Sequence, residues 1–101
     1  MRRDICERVY ELVKRVPEGK VTTYGLIGKV LNISPRVVGF ALHLNNNPEV
    51  PCHRVVNREG RIASAFAFGG ARVQRERLEK EGVEFGDETH VELEKYFYGE
   101  F

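Results

Sequence analysis

Thr22-Thr23-Tyr24-Gly25-Leu26-Ile27-Gly28-Lys29-Val30-Leu31 runs through Asn32-Ile33 into Ser34-Pro35-Arg36-Val37-Val38-Gly39-Phe40-Ala41-Leu42-His43-Leu44. Thr22 or Thr23 can cap a helix over residues 24–31, with Ile27, Val30 and Leu31 facing inward. Asn32-Ile33 breaks that helix. Ser34-Pro35 starts another, with Ser as N-cap and Pro at the first helical position, where its missing N–H costs nothing. The second helix runs to about Leu44, with Val37, Phe40, Ala41 and Leu44 on its buried face. Helix, short turn, helix is a helix-turn-helix arrangement. The first turn of its second helix usually faces nucleic acid. Arg36 stands there, and Gly39 lies one turn further. Glycine inside a helix costs about 1 kcal/mol relative to alanine. Gly39 therefore marks either the close approach of another backbone or tight packing of helix on helix.

Upstream, Ile5, Val9, Leu12, Val13 and Val16 form a helical stripe over residues 4–16, with Asp4 placed to cap it. Cys6 lies beside the stripe and reads as a small buried hydrophobe. Pro17-Glu18-Gly19-Lys20 is a turn. Downstream, Asn45-Asn46-Asn47-Pro48-Glu49-Val50-Pro51 is a loop. Val55-Val56 and Arg61-Ile62 flank Asn57-Arg58-Glu59-Gly60, which predicts a small β-hairpin. Ser64 to Gly70 is an aromatic-glycine loop, and residues 71–81 form a helix ended by Gly82 at C′. The tail, residues 88–101, carries Val91, Leu93, Tyr96 and Phe97 and suits either a strand or a short helix. The expected fold is an α-rich α/β domain, a winged-helix-like helix-turn-helix with a small hairpin.

The chain has 101 residues and a mass of 11.6 kDa, which suits one domain, residues 1–101. Hydrophobic residues at 42% and charged residues at 31% exclude a disordered chain, and the apolar runs are too short for a membrane span. Met1-Arg2-Arg3-Asp4 leads into a charged amphipathic segment, not a signal peptide. Two cysteines, Cys6 and Cys52, are too few for a disulfide scaffold or a four-cysteine metal site, and they favour a reducing, cytoplasmic setting. The net charge of +1 is unevenly spread. Residues 1–78 carry 14 Lys/Arg against 7 Asp/Glu, whereas residues 79–101 carry 2 against 8. A basic body of +7 with a tail of −6 is compatible with a nucleic-acid-binding face, and equally with a surface on which folding mixes the two signs.

The densest chemistry is Pro51-Cys52-His53-Arg54-Val55-Val56, at the end of the Asn-rich loop. A thiol is a good nucleophile only as thiolate, and nearby His or Arg can lower its pKa. Adjacent side chains rarely bond each other, so His53 would act on Cys52 through a water.

The run PCHRVV, with Thr22-Thr23-Tyr24 upstream and Glu81-Gly82 downstream, resembles the O6-alkylguanine-DNA alkyltransferases, in their C-terminal DNA-binding and active-site domain. The resemblance extends from about Ile5 to Gly82, and its PCHR core is highly specific. It implies that Cys52 takes the alkyl group irreversibly from O6 of a guanine flipped out of double-stranded DNA. It also implies a monomer that needs no metal and no organic cofactor. His53 would be the base acting through water, Glu81 would orient His53, and Asn45 would organise the turn presenting the site. Tyr24 would push on the phosphate, help rotate the nucleotide out and donate its hydroxyl to the purine. Arg36 would fill the gap left by the flipped base, and Gly39 would let the helix approach the groove. Carbonyls near Cys52 and Val55 would read the guanine amine. Extrusion, a wedge and a pocket are what chemistry on a stacked base requires.

Three departures from the family pattern stand out. The sequence opens at the DNA-binding domain, so the family's usual preceding N-terminal domain is expected to be absent. The substrate loop reads Ala65-Phe66-Ala67-Phe68-Gly69-Gly70, slightly longer than usual, with Phe66 replacing a Tyr and so removing a hydroxyl donor. The stretch from Asn45 to Cys52 is one residue short. Size and the helix ending in Glu81-Gly82 also resemble the alkyltransferase-like proteins, which bind O6-alkylguanine without transferring the group and carry another residue, often Trp, at the cysteine position. Retention of Cys52 favours transfer. A helix-turn-helix regulator, normally a dimer on paired half-sites, is the third alternative.

Overall fold

The structure, a computed structural model, describes residues 3–101. Helix α1 spans Arg3–Lys14 and buries Val9, Leu12 and Val13. Asp4, expected as its N-cap, stands inside the first turn instead. The helix closes earlier than position 16: Arg15 and Val16 donate to Leu12 and Val13, a tightening of the last turn, and Val16 remains fully buried.

Helix α2 spans Tyr24–Leu31 and helix α3 spans Pro35–His43. Thr23 Oγ1 accepts from the Leu26 N–H at 3.1 Å, and Ser34 Oγ from the Val37 N–H at 3.2 Å, so both expected caps form. Asn32 ends α2 in the left-handed conformation (φ 59°), and the Ile33 N–H returns to the Gly28 carbonyl at 2.8 Å. A Cβ on Gly28 would lie 2.5 Å from the Ile33 carbonyl oxygen, so this turn requires glycine at 28. The two helices bend by 107°, within the range of helix-turn-helix pairs.

The buried face of α3 differs from expectation. Val38, Ala41 and Leu42 are buried, Val37 is half-buried, and Phe40 and Leu44 are 56% and 61% exposed. Apolar residues nearly encircle this helix, so periodicity alone leaves its rotation open. Packing decides it, including the 2.6 Å bond from the Tyr10 hydroxyl to the Ala41 carbonyl. Val30 of α2 likewise faces outward, while Ile27 is buried and Leu31 half-buried.

The expected hairpin is replaced by another pairing. Strand β1 (Thr22–Thr23) pairs in parallel with β2 (Val55–Val56), in the register Thr22 with Val55 and Thr23 with Val56. The Asn57–Gly60 turn does form, closed by Gly60 N–H to Asn57 C=O at 2.9 Å. Its far arm goes to the tail, however: Arg61 bridges His90, and Ile62 donates to Thr89. The tail combines both expected options. A short helix α5, Leu93–Tyr96, is followed by a parallel bridge from Phe97 to Val21.

Helix α4 spans Gly70–Lys80. Gly82 (φ +89°) ends it, with Val83 N–H reaching Leu78 C=O and Gly82 N–H reaching Glu79 C=O. This is a Schellman closure, and Leu78 and Val83 supply its hydrophobic contact. One core cluster joins α1, α2 and α3 to Val50, Cys52, Val55 and Phe66; a second joins Val21, Val56, Ile62, Leu78, Val83 and Val91. The two paired strands lie between them, contributing Val55 to one and Val56 to the other. Among the described residues no single helix is long and apolar enough to cross a membrane.

Candidate active site

Pro51 sets the geometry of the reactive segment. Its φ of −78° and ψ of 65° make an inverse γ-turn, closed by Cys52 N–H to Val50 C=O at 2.8 Å. A 3₁₀ turn over Cys52–Arg54 follows and feeds directly into β2. Asn45 braces this segment from the end of α3. Its Nδ2 donates to Cys52 Sγ at 3.1 Å and to the Asn47 carbonyl at 3.0 Å, while its Oδ1 accepts from the Asn47 N–H. Burial pushes the Cys52 thiol up, and the Asn45 hydrogen bond and the Arg77 charge pull it partly back.

His53 turns the other way. Its Nε2 lies 2.8 Å from Glu81 Oε2, and its Nδ1 is buried without a hydrogen-bond partner in the protein. Burial lowers the imidazole pKa, with the Glu81 carboxylate partly opposing that shift. Burial would raise Glu81, but hydrogen bonds from Arg54 and His53 outweigh it and hold the carboxyl below its usual range. The carboxylate thus fixes the tautomer: Nε2–H donates, and Nδ1 carries the lone pair. Arg54 takes Glu81 through Nε at 3.0 Å and Nη2 at 2.8 Å, and donates through Nη1 to the Val16 carbonyl. The Gly19 N–H adds a fourth donor to Glu81 at 3.2 Å. A buried neutral base held by an ionised, fully solvated-by-protein carboxylate is the arrangement that proton abstraction needs.

In front of Cys52 opens a cavity of about 370 Å³. Tyr24, Arg36, Gly39, Phe40, Leu42 and His43 form its helix-turn-helix wall, and Ala63, Ala65, Phe66 and Ala67 form the loop wall. The structure therefore gathers Cys52, Tyr24, Arg36, Gly39 and Phe66 around one space; Asn45 bonds Cys52 directly, while His53 and Glu81 bond each other outside the cavity lining. Arg36 is exposed at the rim. A Cβ at Gly39 would meet nothing within 4 Å, so no packing inside the chain demands glycine there. Burial and the neighbouring Cys52 charge both raise the Tyr24 pKa. Val55 is fully buried outside the cavity lining, and its carbonyl accepts from Gln74 Nε2 at 3.1 Å. Within the loop, the N–H groups of Phe66, Gly69 and Gly70 donate to loop carbonyls.

Gln74 is a site residue that sequence reasoning missed. It is fully buried, donates from Nε2 to the His53 and Val55 carbonyls, and accepts the Ala63 N–H at 2.7 Å. One side chain thereby ties the reactive segment to the cavity loop. The signal was its helical spacing from Leu78 and Glu81, which puts a polar residue on the inward face. Among the described residues, no three His, Cys, Asp or Glu side chains converge as metal ligands.

Residues 4–83 match the model of the 6-O-methylguanine DNA methyltransferase family, DNA binding domain. The chain belongs to this family. Alkyltransferase-like protein 1 of Schizosaccharomyces pombe is 42% identical over 80 residues, covering 76% of this chain and 74% of that protein. A methylated-DNA--protein-cysteine methyltransferase of Thermococcus kodakarensis is 46% identical over 79 residues, covering 76% of this chain but 44% of that protein. The chain thus spans less than half of that family member's length. The crystal structure of S. pombe Atl1 in complex with damaged DNA containing O6-carboxymethylguanine superposes with a TM-score of 0.80 at 37% identity, covering 97% of this chain and 98% of that one. The family therefore includes proteins named as transferases and proteins named as alkyltransferase-like, and this chain is similar to both.

Proposed function

We propose that residues 1–101 act as one monomeric domain that binds double-stranded DNA, flips out O6-alkylguanine and transfers the alkyl group to Cys52. The observation that carries this reading is Cys52 lining one cavity with Tyr24 and Arg36, next in sequence to a buried His53 whose pKa is lowered. His53 Nδ1 takes the thiol proton through a water. The thiolate attacks the alkyl carbon, an S–C bond forms, and the C–O6 bond breaks with its electron pair passing into the purine, whose O6 becomes a carbonyl. The guanine anion takes up one proton at N1, balancing the one lost from the thiol. Every group in this sequence is a side chain, a water or the substrate, and the step balances without a cofactor.

Arg36 occupies the space left in the duplex, Gly39 permits the helix to approach the groove, and Tyr24 crowds the phosphate and donates its hydroxyl to the purine. Phe66 packs against the substrate without a hydroxyl, leaving loop N–H groups and Tyr24 to meet developing charge on the purine. The resemblance assigns the carbonyls near Cys52 and Val55 to the guanine amine, which would meet the Val55 carbonyl beside its bond from Gln74 Nε2.

A second reading is lesion recognition without transfer. Two observations favour it: the raised Cys52 thiol pKa and the missing hydroxyl at Phe66. Incubation with a duplex carrying one O6-methylguanine separates the two. Transfer adds one methyl mass per chain, mapped to Cys52 and not to Cys6, and Cys52→Ser abolishes it. Tight lesion binding with no methyl on Cys52 after long incubation establishes the second reading.

A further inference from the structure

We propose that Arg77 is a positioning residue for the site: its guanidinium clamps the Phe66-Ala67-Phe68 segment of the cavity wall and sets a positive charge beside Cys52. This rests on Cys52 being the alkyl acceptor and adds a residue that no motif pointed to.

The guanidinium carbon lies 5.5 Å from the Phe66 ring centroid and 5.4 Å from that of Phe68, and the two rings are 5.9 Å apart at 53°. Both distances fall within the reach of cation–π attraction. A single cation therefore holds both ends of the segment. Phe66 is buried and lines the cavity, while Phe68 packs half-buried against the main core. Among the described residues no carboxylate pairs with Arg77, so its charge is not cancelled locally.

Position along α4 supports the same conclusion. Gln74, Arg77 and Glu81 sit at i, i+3 and i+7, one side of the helix. Gln74 holds Ala63, His53 and Val55, and Glu81 holds His53 and Arg54. Arg77 fills the middle of this row and supports the part of the cavity wall that the other two do not reach.

The Arg77 charge acts on both reacting groups. It lowers the Cys52 thiol pKa against the burial that raises it, and it lowers His53 in the direction burial already sets. The charge offsets part of the rise that burial imposes on the thiol, without reversing it, and the imidazole stays a neutral base. The other titratable groups facing Cys52 are Tyr24 from α2 and Tyr10 from α1, both with raised pKa and neutral at pH 7, neutral His53, and Arg36 and His43 of α3 across the cavity. Arg54 is neutralised by Glu81. Since Phe66 offers no hydroxyl to the substrate, a rigid loop with a fixed cation behind it supplies order and field in its place.

The test uses the full chain without DNA, as Arg77→Gln and Arg77→Lys. Iodoacetamide labelling across a pH series, with Cys52 and Cys6 quantified on separate peptides, reads Cys52 ionisation. Hydrogen exchange reads the amides of residues 64–70. Loss of the clamp speeds exchange of those amides by roughly fivefold in Arg77→Gln, and by less in Arg77→Lys, whose compact ammonium cannot lie across two rings. Both variants loosen the wall but only one loses the charge, so the labelling midpoint of Cys52 lies at higher pH in Arg77→Gln than in Arg77→Lys. Equal midpoints overturn the charge role, and parental exchange in both variants overturns the clamp. Unchanged Cys6 labelling shows that the fold is retained. None of these readouts depends on DNA, so failure of the parent chain to transfer a methyl group would count against the proposed function alone.

Discussion

His53 Nε2 and Glu81 Oε2 lie 2.8 Å apart although 28 positions separate them in the chain, and each side chain is 11% exposed. Arg54 shares the same carboxylate, so a base, its orienting acid and a structural cation form one unit. Removing one partner from such a unit leaves a buried group unsatisfied, which costs more than the pair itself contributes.

Stability should fall on acidification through this unit. Both His53 and Glu81 have folded pKa values below their ordinary values of 6.5 and 4.5. In each case the unfolded chain binds the proton first, so the contribution is complete above the ordinary value and is lost as pH falls through the folded one. Urea unfolding from pH 8 to pH 3 should show a first decline below pH 6.5 and a second below 4.5. In Glu81→Gln the second decline should be shallower. The same variant should slow methyl transfer, because an imidazole without its carboxylate is a weaker and less well oriented base.

Asn45→Ala removes the donor to Cys52 Sγ and both bonds that shape the loop. The expected loss is about 1–3 kcal/mol in urea unfolding. Transfer to Cys52 should also slow, since the lost hydrogen bond is one of the influences drawing the thiol pKa down.

Gln74→Ala strands the Ala63 N–H and the His53 and Val55 carbonyls at once. We expect about 2–3 kcal/mol of destabilisation, read by thermal or urea unfolding, because each buried group loses its partner. Gln74→Glu should not rescue it, since a carboxylate cannot donate to the two carbonyls.

Arg36→Ala should leave stability within about 0.5 kcal/mol of the parent, because the side chain is exposed. Lesion binding should weaken, with fluorescence of a base analogue opposite the lesion reporting less flipping. The slope of log binding constant against log salt should drop by about one if Arg36 also meets a phosphate. Parental binding and flipping would remove Arg36 from the interface.

Much of the site was legible because its parts are local. Cys52 and His53 are adjacent, and Pro51 forces the turn that presents them. Glu81 and Tyr24 were reached through resemblance, not through any spacing that pairs them with Cys52. Gln74 and Arg77 went unread because a polar residue on a charged helix looks solvated until the helix has a neighbour.

What the sequence by itself determined is the helix-turn-helix: Ser34 as a cap, a threonine cap at 22 or 23 that proves to be Thr23, the break at Asn32-Ile33, and α2 over residues 24–31. These features depend on hydrogen bonds spanning three or four residues, whose outcome the local residue types decide. What only the tertiary structure decided is which groups compete successfully across long separations. Val55-Val56 took Thr22-Thr23 as partner, and Arg61-Ile62 took the tail, because two distant segments offered better edges than the adjacent one. The rotation of α3, and with it the outward placing of Phe40, followed from packing on α1 and α2, since an apolar ring around a helix names no face of its own.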